Sequence, residues 1–235
     1  MIRDYIYFNG KSSKDFNAYI TDAGVYDSGV RNYELVSIPG RNGDVVIEKN
    51  KFDNVTFTYP AVIVDDFDKN YMALNAFLSS QRGYKRLSDS FHPDEYYMAV
   101  FKALSSQKHA LHNAGGTFKI EFERKPQRYL KSGESKKTFT GSGALKNPTL
   151  YTALPMIRAY GTGSFTINGV TVQITSANSY TDIDCELQEA YKGTTNCNGN
   201  IVLTNGEFPS LAPGVNNISK SGITSIELIP RWWTI

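Results

Sequence analysis

A period of two governs this sequence. In GGTFKIEFERK (residues 115 to 125), Phe118, Ile120 and Phe122 alternate with Lys119, Glu121 and Glu123, the pattern of an antiparallel strand with one face on a core and the other in water. Shorter runs of strand character recur through the first half: YIYF (5 to 8), NYELVSI (32 to 38), VVIEK (45 to 49), VTFTYPAVIV (55 to 64) and YYMAVFKAL (96 to 104). Such segments must pair into sheets, because an unpaired strand leaves a row of backbone donors and acceptors open. The 15 Tyr and 13 Phe, with 19 Gly and 9 Pro to supply turns, fit a β-rich chain.

One stretch departs from the pattern. In DDFDKNYMALNAFLSSQ (65 to 81), Phe67, Tyr71, Leu74 and Leu78 fall at i, i+4, i+7 and i+11, with acids in the first turn and Gly83 just past the end. That spacing predicts a single amphipathic helix. Beyond PQRYLKSGESKK the apolar pattern restarts as short strands (KTFT, MIRAY, SFTI, VTVQIT, TDIDCEL, NIVL, SIELI), and in FTINGVTV the pair Asn168-Gly169 suits a two-residue type I′ turn. Two domains are therefore expected, 1-130 as a β-rich domain with one helix and 131-235 as a β-sandwich. The ending IELIPRWWTI places Ile226, Leu228 and Trp232 on one side, and Ile229, Trp233 and Ile235 on the other. Either both faces are covered or a bulge at Pro230 resets the phase; in both cases Trp232 and Trp233 are structural anchors.

Several functions are argued against. The 25 basic and 23 acidic residues nearly cancel, so no overall field draws the chain onto DNA or an anionic membrane. No apolar run approaches the roughly 20 residues that span a bilayer, and MIRDYIYFNG lacks the layout of a signal peptide; a soluble protein made in a cytoplasm is expected. Cys185 and Cys197 are too few for a disulfide framework, and Cys185, alternating with Asp182, Asp184 and Glu186 beside Ile183 and Leu187, reads as a buried, inert thiol. His109 and His112 form an HxxH pair without a Cys or carboxylate close by, and His92 precedes a proline in a turn, where solvation is expected. Asp182, Asp184 and Glu186 share one strand face, read as a solvent face or one opposite another subunit's basic side chains. Arg124, Lys125, Arg128 and Lys131, with Tyr129 among them, read as a charged linker at the domain boundary. No P-loop, GxSxG, HExxH, CxxC pair or Rossmann glycine fingerprint is present. No catalytic, cofactor-binding or metal-ligating residue is predicted, and the chain is expected to bind or build, not to catalyse.

Taken in order, SIPGRNGDVVIEKNKFDNVTFTYP, the helix after it, GYKRLSDSFHPDEYYMAVF, DCELQEAYKG, GEFPSLAPGVNNI and the terminal IELIPRWWTI cover nearly the whole chain. Together they resemble the distal tail protein (Dit) of long-tailed phages and prophages of Gram-positive bacteria. The resemblance implies a structural, non-enzymatic protein of the virion tail tip. Its N-terminal domain would be tail-tube-like and would join five further copies in a homohexameric ring, with a C-terminal galectin-like β-sandwich projecting outward. Tail tube protein would stack above the ring and the tail-associated tip protein below it. In many phages receptor-binding proteins hang from the outer domains, and DNA passes through the central channel. A closed ring needs a head-to-tail interface, and the loop of Pro39, Gly40, Arg41, Asn42 and Gly43, with its flanking strands, is the candidate, since unpaired strand edges can be completed by a neighbour. The alternative reading is a carbohydrate-binding module mediating host-surface adhesion, with Tyr180 or Tyr191 as the stacking aromatic.

Overall fold

Alternation becomes pairing in the computed structural model, which describes residues 4–23, 28–109 and 115–235, and for 106–109 the backbone alone. The HxxH pair therefore escapes description, since His112 and the side chain of His109 lie outside the described residues. The chain separates into two compact units, Met1–Arg128 with Ile235, and Tyr129–Thr234.

The first unit holds β1 (Ile6–Phe8), β2 (Lys11–Ser12), β3 (Ala18–Ile20), β4 (Arg31–Val36), β5 (Val45–Phe52), β6 (Val55–Ile63), α1 (Phe67–Ser80), β7 (Lys85–Asp89), β8 (Glu95–His109) and β9 (Gly116–Leu130). A sheet in the order β2-β1-β7-β8-β9-β6-β3 forms its frame. At its centre β6 and β9 pair antiparallel without a break from Val55↔Arg124 to Ile63↔Gly116. Because the side-chain period is two, that register sends Phe57, Tyr59, Ala61 and Ile63 to the same face as Phe118, Ile120 and Phe122. The buried Phe67, Leu74 and Leu78 of α1 close over them, with Tyr71 packed at the edge, so the helical spacing in the sequence marks the covering face.

The basic stretch is not a linker. Arg124, Lys125 and Arg128 belong to β9, and Lys131 opens a 3₁₀ turn over Lys131–Glu134. Arg124 occupies the inward position after Phe122 and is 4 % exposed. Its guanidinium lies between the rings of Phe57 and Tyr97, 4.2 and 4.3 Å from their centroids, an arrangement in which the ring faces stabilise a desolvated cation. Arg128 bonds Glu95 at 3.2 Å and the main-chain oxygen of Ile235 at 3.0 Å.

The second unit contains β10 (Lys137–Phe139), β11 (Gly143–Asn147), β12 (Met156–Tyr160), β13 (Gly163–Ile167), β14 (Val170–Ile174), β15 (Tyr180–Asp184), β16 (Glu189–Lys192), β17 (Thr195–Asn196), β18 (Ile201–Leu203), β19 (Gly214–Ser221), β20 (Ser225–Ile229) and β21 (Trp233–Thr234). A six-stranded sheet, β10-β20-β12-β15-β16-β17, and a five-stranded sheet, β11-β19-β13-β14-β18, form a sandwich. Ile157, Ala159, Ile183, Ile226 and Leu228 from the first meet Phe165, Ile167, Val172, Ile174 and Ile218 from the second in one core. Asn168 and Gly169 join β13 to β14 with positive φ at both positions, 50° and 87°, as a type I′ turn requires.

At the C-terminal end the alternation runs on without a phase reset. Ile226, Leu228, Pro230 and Trp232 are buried, while Ile229, Trp233 and Ile235 are half-buried, even though Arg231 takes a left-handed φ of 59°. Trp232 is 4 % exposed in the sandwich core. Its carbonyl accepts from the Leu130 N–H at 2.9 Å, and the Arg231 N–H donates to the Gly133 carbonyl at 2.9 Å. A Cβ on Gly133 would lie 2.3 Å from the Trp232 nitrogen, so this approach demands glycine. Trp233 stacks on Tyr151 (centroids 4.5 Å apart) and donates its indole N–H to the Thr152 carbonyl at 3.0 Å. Cys185 is buried as expected, and burial pushes its thiol up to about 12. Leu187 is not inward: β15 ends at Asp184, and in the turn beyond it Leu187 is 64 % exposed.

Trp232→Ala should lower the stability of the second unit by roughly 3 to 5 kcal/mol, the usual result of truncating a buried aromatic. Thermal unfolding followed by near-UV circular dichroism reads this, and an unchanged melting temperature would show that the indole is not an anchor.

Candidate functional site

β4 and β5 form a two-stranded sheet of their own, separate from the sheet that frames the first unit. The register runs Tyr33↔Glu48, Glu34↔Ile47, Leu35↔Val46 and Val36↔Val45, with an irregularity between Asn32 and Tyr33. Tyr33, Leu35 and Val46 share one face, and Val36, Val45 and Ile47 the other. Tyr33, Leu35, Val46 and Ile47 are 49 to 53 % exposed, so apolar side chains stand in solvent on both faces. The connecting loop carries Pro39, Gly40, Arg41, Asn42 and Gly43, all exposed. Gly40 and Gly43 take φ of 81° and 79°, which places the chain reversal where the sequence put its glycines, and the Arg41 N–H donates to the Ile38 carbonyl.

The hairpin is rooted at its base. Arg31 lies over the Phe52 ring, Asn32 donates to both carboxylate oxygens of Asp53 at 3.0 Å, and the Asp53 N–H donates to the Val30 carbonyl. Gly29 packs so closely that an added Cβ would lie 2.7 Å from Pro126 Cβ. Away from this base the strands pair with each other, and Lys49 meets Glu34 in an ion pair at 3.8 Å. A two-stranded hairpin is marginally stable in water without a covered face.

A second polar feature sits on the outward face of the six-stranded sheet. Asp182 and Asp184 do project away from the core, but the bases opposite them come from the same chain. Arg158 grips Asp182 through Nε and Nη2 at 2.6 and 2.8 Å, and Arg231 grips Asp184 through Nη1 and Nη2 at 2.8 Å each. Both carboxylates are 4 % exposed beneath these forks, while Glu186, beyond the strand end, is exposed and lies 3.6 Å from Arg231. Burial raises the Asp184 carboxyl, but the hydrogen bonds from Arg231 and from the Leu187 and Glu186 backbone outweigh it, and the net shift is downward from the usual carboxylate value.

His92 departs from the solvated expectation. Its ring is half-buried, with Nδ1 2.9 Å from Asp89 Oδ1, and its backbone N–H donates to the same oxygen. Tyr59, fully buried, donates to Asp89 Oδ2 at 2.8 Å. Burial pushes the Asp89 carboxyl up against these bonds, and burial pulls the His92 imidazole down. The trio ties the turn between β7 and β8 to the core. Among the described residues no group of three or more His, Cys, Asp or Glu side chains is arranged to hold a metal ion. Nor is any helix among them long and apolar enough to cross a membrane.

No model of a known protein family matches the sequence, and no curated protein matches it. Solved structures do match. The Dit protein (gp19.1) of phage SPP1, described as a paradigm of the hub adsorption apparatus in phages that infect Gram-positive bacteria, superposes with a TM-score of 0.74 at 14 % identity over 99 % of both chains. A chain of the phage P2 baseplate in its calcium-activated conformation gives 0.55 at 10 % identity over 97 % of both, and the strontium form gives 0.54 at 9 % over 96 %. The fold is that of a Dit hub protein: mainly β, with one helix among the described residues and a C-terminal sandwich.

The depressed Asp184 carboxyl sets an acid limit. Its folded-state pKa lies below the unfolded one, so its contribution to stability is present above about pH 4 and is lost as pH falls through the folded value. The melting temperature of the second unit should drop between pH 5 and pH 3, and Asp184→Asn should flatten that drop while lowering the pH 5 value. Parallel pH slopes for the two proteins would show that the pair does not govern acid stability.

Proposed function

We propose that this protein is a structural hub of a phage tail tip that assembles head to tail into a ring, with β4, β5 and the Pro39–Gly43 loop completing a neighbouring copy. The observation that carries the reading is the fold match to a hub protein over 99 % of both chains. The exposed hairpin supplies the physical reason for assembly. Two apolar faces on one arm suit an interface in which each copy gives an arm and receives one, and such a heterologous contact closes as a ring when the rotation allows. Covering the open half of Tyr33, Leu35, Val46 or Ile47 is worth about 1 kcal/mol each at usual transfer values, and the open edges of β4 and β5 offer backbone pairing to a neighbour as well.

In this reading six copies surround a channel, tail tube protein stacks on one side, and the tail-associated tip protein docks on the other. The outward sandwich is the attachment platform for receptor-binding proteins. DNA only passes through, in keeping with a net charge of +2 that offers no strong grip on phosphates. The protein has no catalytic task, and its place is the distal end of the virion tail.

Native mass spectrometry across a concentration series, with negative-stain images of the largest species, should show a six-fold ring with a central hole, formed by the protein alone or on purified tail tubes. Arg41→Glu combined with Ile47→Glu should shift the population to monomers at least tenfold while leaving the melting temperature of the monomer within a few degrees. A ring that survives both substitutions would overturn the hairpin assignment. A monomer under every condition, tail tubes included, would overturn the hub reading.

A further inference from the structure

The period of two that builds the sandwich also arranges its outward face. Pairing of Arg158 with both Glu227 and Asp182, and of Asp182 with Tyr191, puts Glu227, Arg158, Asp182 and Tyr191 on one rung across β20, β12, β15 and β16. The next rung is Ile229, Met156, Asp184 and Glu189. Lys136 reaches in from the turn before β10 and bonds Glu227 Oε2 at 2.9 Å, an atom that also accepts from the Tyr160 hydroxyl at 3.2 Å. Between the two rungs lies a recess of about 150 Å³ lined by Lys136, Met156, Arg158, Asp182, Glu227 and Ile229.

We propose that this recess binds one ring of a neutral saccharide, with Met156 and Ile229 as its floor and Lys136, Arg158, Asp182 and Glu227 as its hydrogen-bonding rim. Charge decides the ligand class. The rim holds two cations and two carboxylates and is neutral as a set, so an anion entering it faces Asp182 and Glu227 and finds Arg158 already engaged by a bidentate fork. A hydroxyl both donates and accepts, and the rim offers both. Lys136 uses one of its three donors on Glu227, and among the described residues Glu227 Oε1 takes no hydrogen bond. The ion pairs hold these side chains in place before any ligand arrives, which lowers the ordering entropy of binding.

Size and floor agree with that class. The recess is smaller than the roughly 300–1,000 Å³ of pockets for drug-sized ligands, and its floor is apolar, suited to the C–H face of a pyranose. Met156 is an adaptable surface, and the Tyr191 hydroxyl on the same face lies 3.8 Å from its sulfur. The two tyrosines named from the sequence support the site and do not form its stacking platform: the Tyr180 ring is covered by the Arg158 guanidinium at 4.2 Å and by Lys192 at 5.1 Å. The site is complete within one sandwich and does not rest on the ring reading.

Saturation-transfer NMR on the full chain, with galactose, glucose, N-acetylglucosamine and rhamnose as neutral probes and glycerol 3-phosphate as the anionic one, tests this. At least one neutral sugar should show transfer with a Kd of about 1 mM or tighter, the range expected of a shallow single-ring site, and glycerol 3-phosphate should not compete. Glu227→Gln should weaken binding several-fold. R158M/D182L, which removes both charges together and so leaves no buried ion uncompensated, should weaken it at least tenfold with the far-UV spectrum unchanged. Should that double variant unfold, Glu227→Gln and Lys136→Met decide by the same reading. No transfer from any neutral sugar, preferential binding of the phosphate, or unaltered affinity in folded variants would overturn the proposal.

Discussion

The unbroken β6–β9 ladder is the contact on which the first unit depends. Its register fixes which half of each strand is buried, and a slip of one residue would turn Phe57, Tyr59, Phe118, Ile120 and Phe122 outward together. Two polar devices keep it in place. Tyr59 donates a hydroxyl hydrogen bond to Asp89 in the core, and Arg124 ends the inward row of β9 as a cation between two aromatic faces. Both groups would be costly in the core if left alone, so their partners specify the register as well as satisfying it.

The sandwich follows the same arithmetic with a different outcome on its outer side. Inward positions of β12, β15 and β20 are apolar except for Thr181; outward ones carry Arg158, Asp182, Asp184 and Glu227. The two aspartates are as buried as core residues because planar guanidinium forks cover them. Such pairs are poor sources of net stability, since desolvation offsets much of the attraction, but losing one partner leaves a buried charge. The outer face is thus held in one arrangement, a condition that a binding surface needs and a plain solvent face does not.

How much of this was legible in the sequence differs by kind of feature. The helix over 67–80, the turn at Asn168-Gly169, the buried Cys185 and the inward Trp232 follow from local periodicity and turn chemistry, which a single strand or helix carries within itself. The ion pairs Arg158–Asp182 and Arg231–Asp184 span 24 and 47 residues and depend on which strands lie side by side, information that no local pattern contains. For the same reason the aspartate row reads, from sequence, as a solvent face, and Arg124 as part of a linker. Leu187 differs, because it lies past the end of β15 in a turn, where alternation has no meaning. His92 precedes a proline, which by itself implies solvation, yet it lies against Asp89 because the turn folds back on β7.

The contrast between the two exposed surfaces bears on assembly. On the sandwich face Arg158, Asp182, Asp184, Arg231, Glu227 and Lys136 are paired within the chain, so that set is self-consistent in water. The hairpin is not. Its apolar side chains stand on both faces, its strands have no third neighbour in their sheet among the described residues, and its loop, exposed throughout, makes the reversal with Gly40 and Gly43 at positive φ. Net charge, core packing and strand order within one chain give no reason for such an arm to persist, because a lone two-stranded ribbon gains little on folding and an open edge invites indiscriminate pairing. A reason exists once a second copy covers it. In the proposed ring the hairpin would be the incomplete part of an interface whose other half lies on an identical molecule, and its exposure in the single chain is what head-to-tail closure would require.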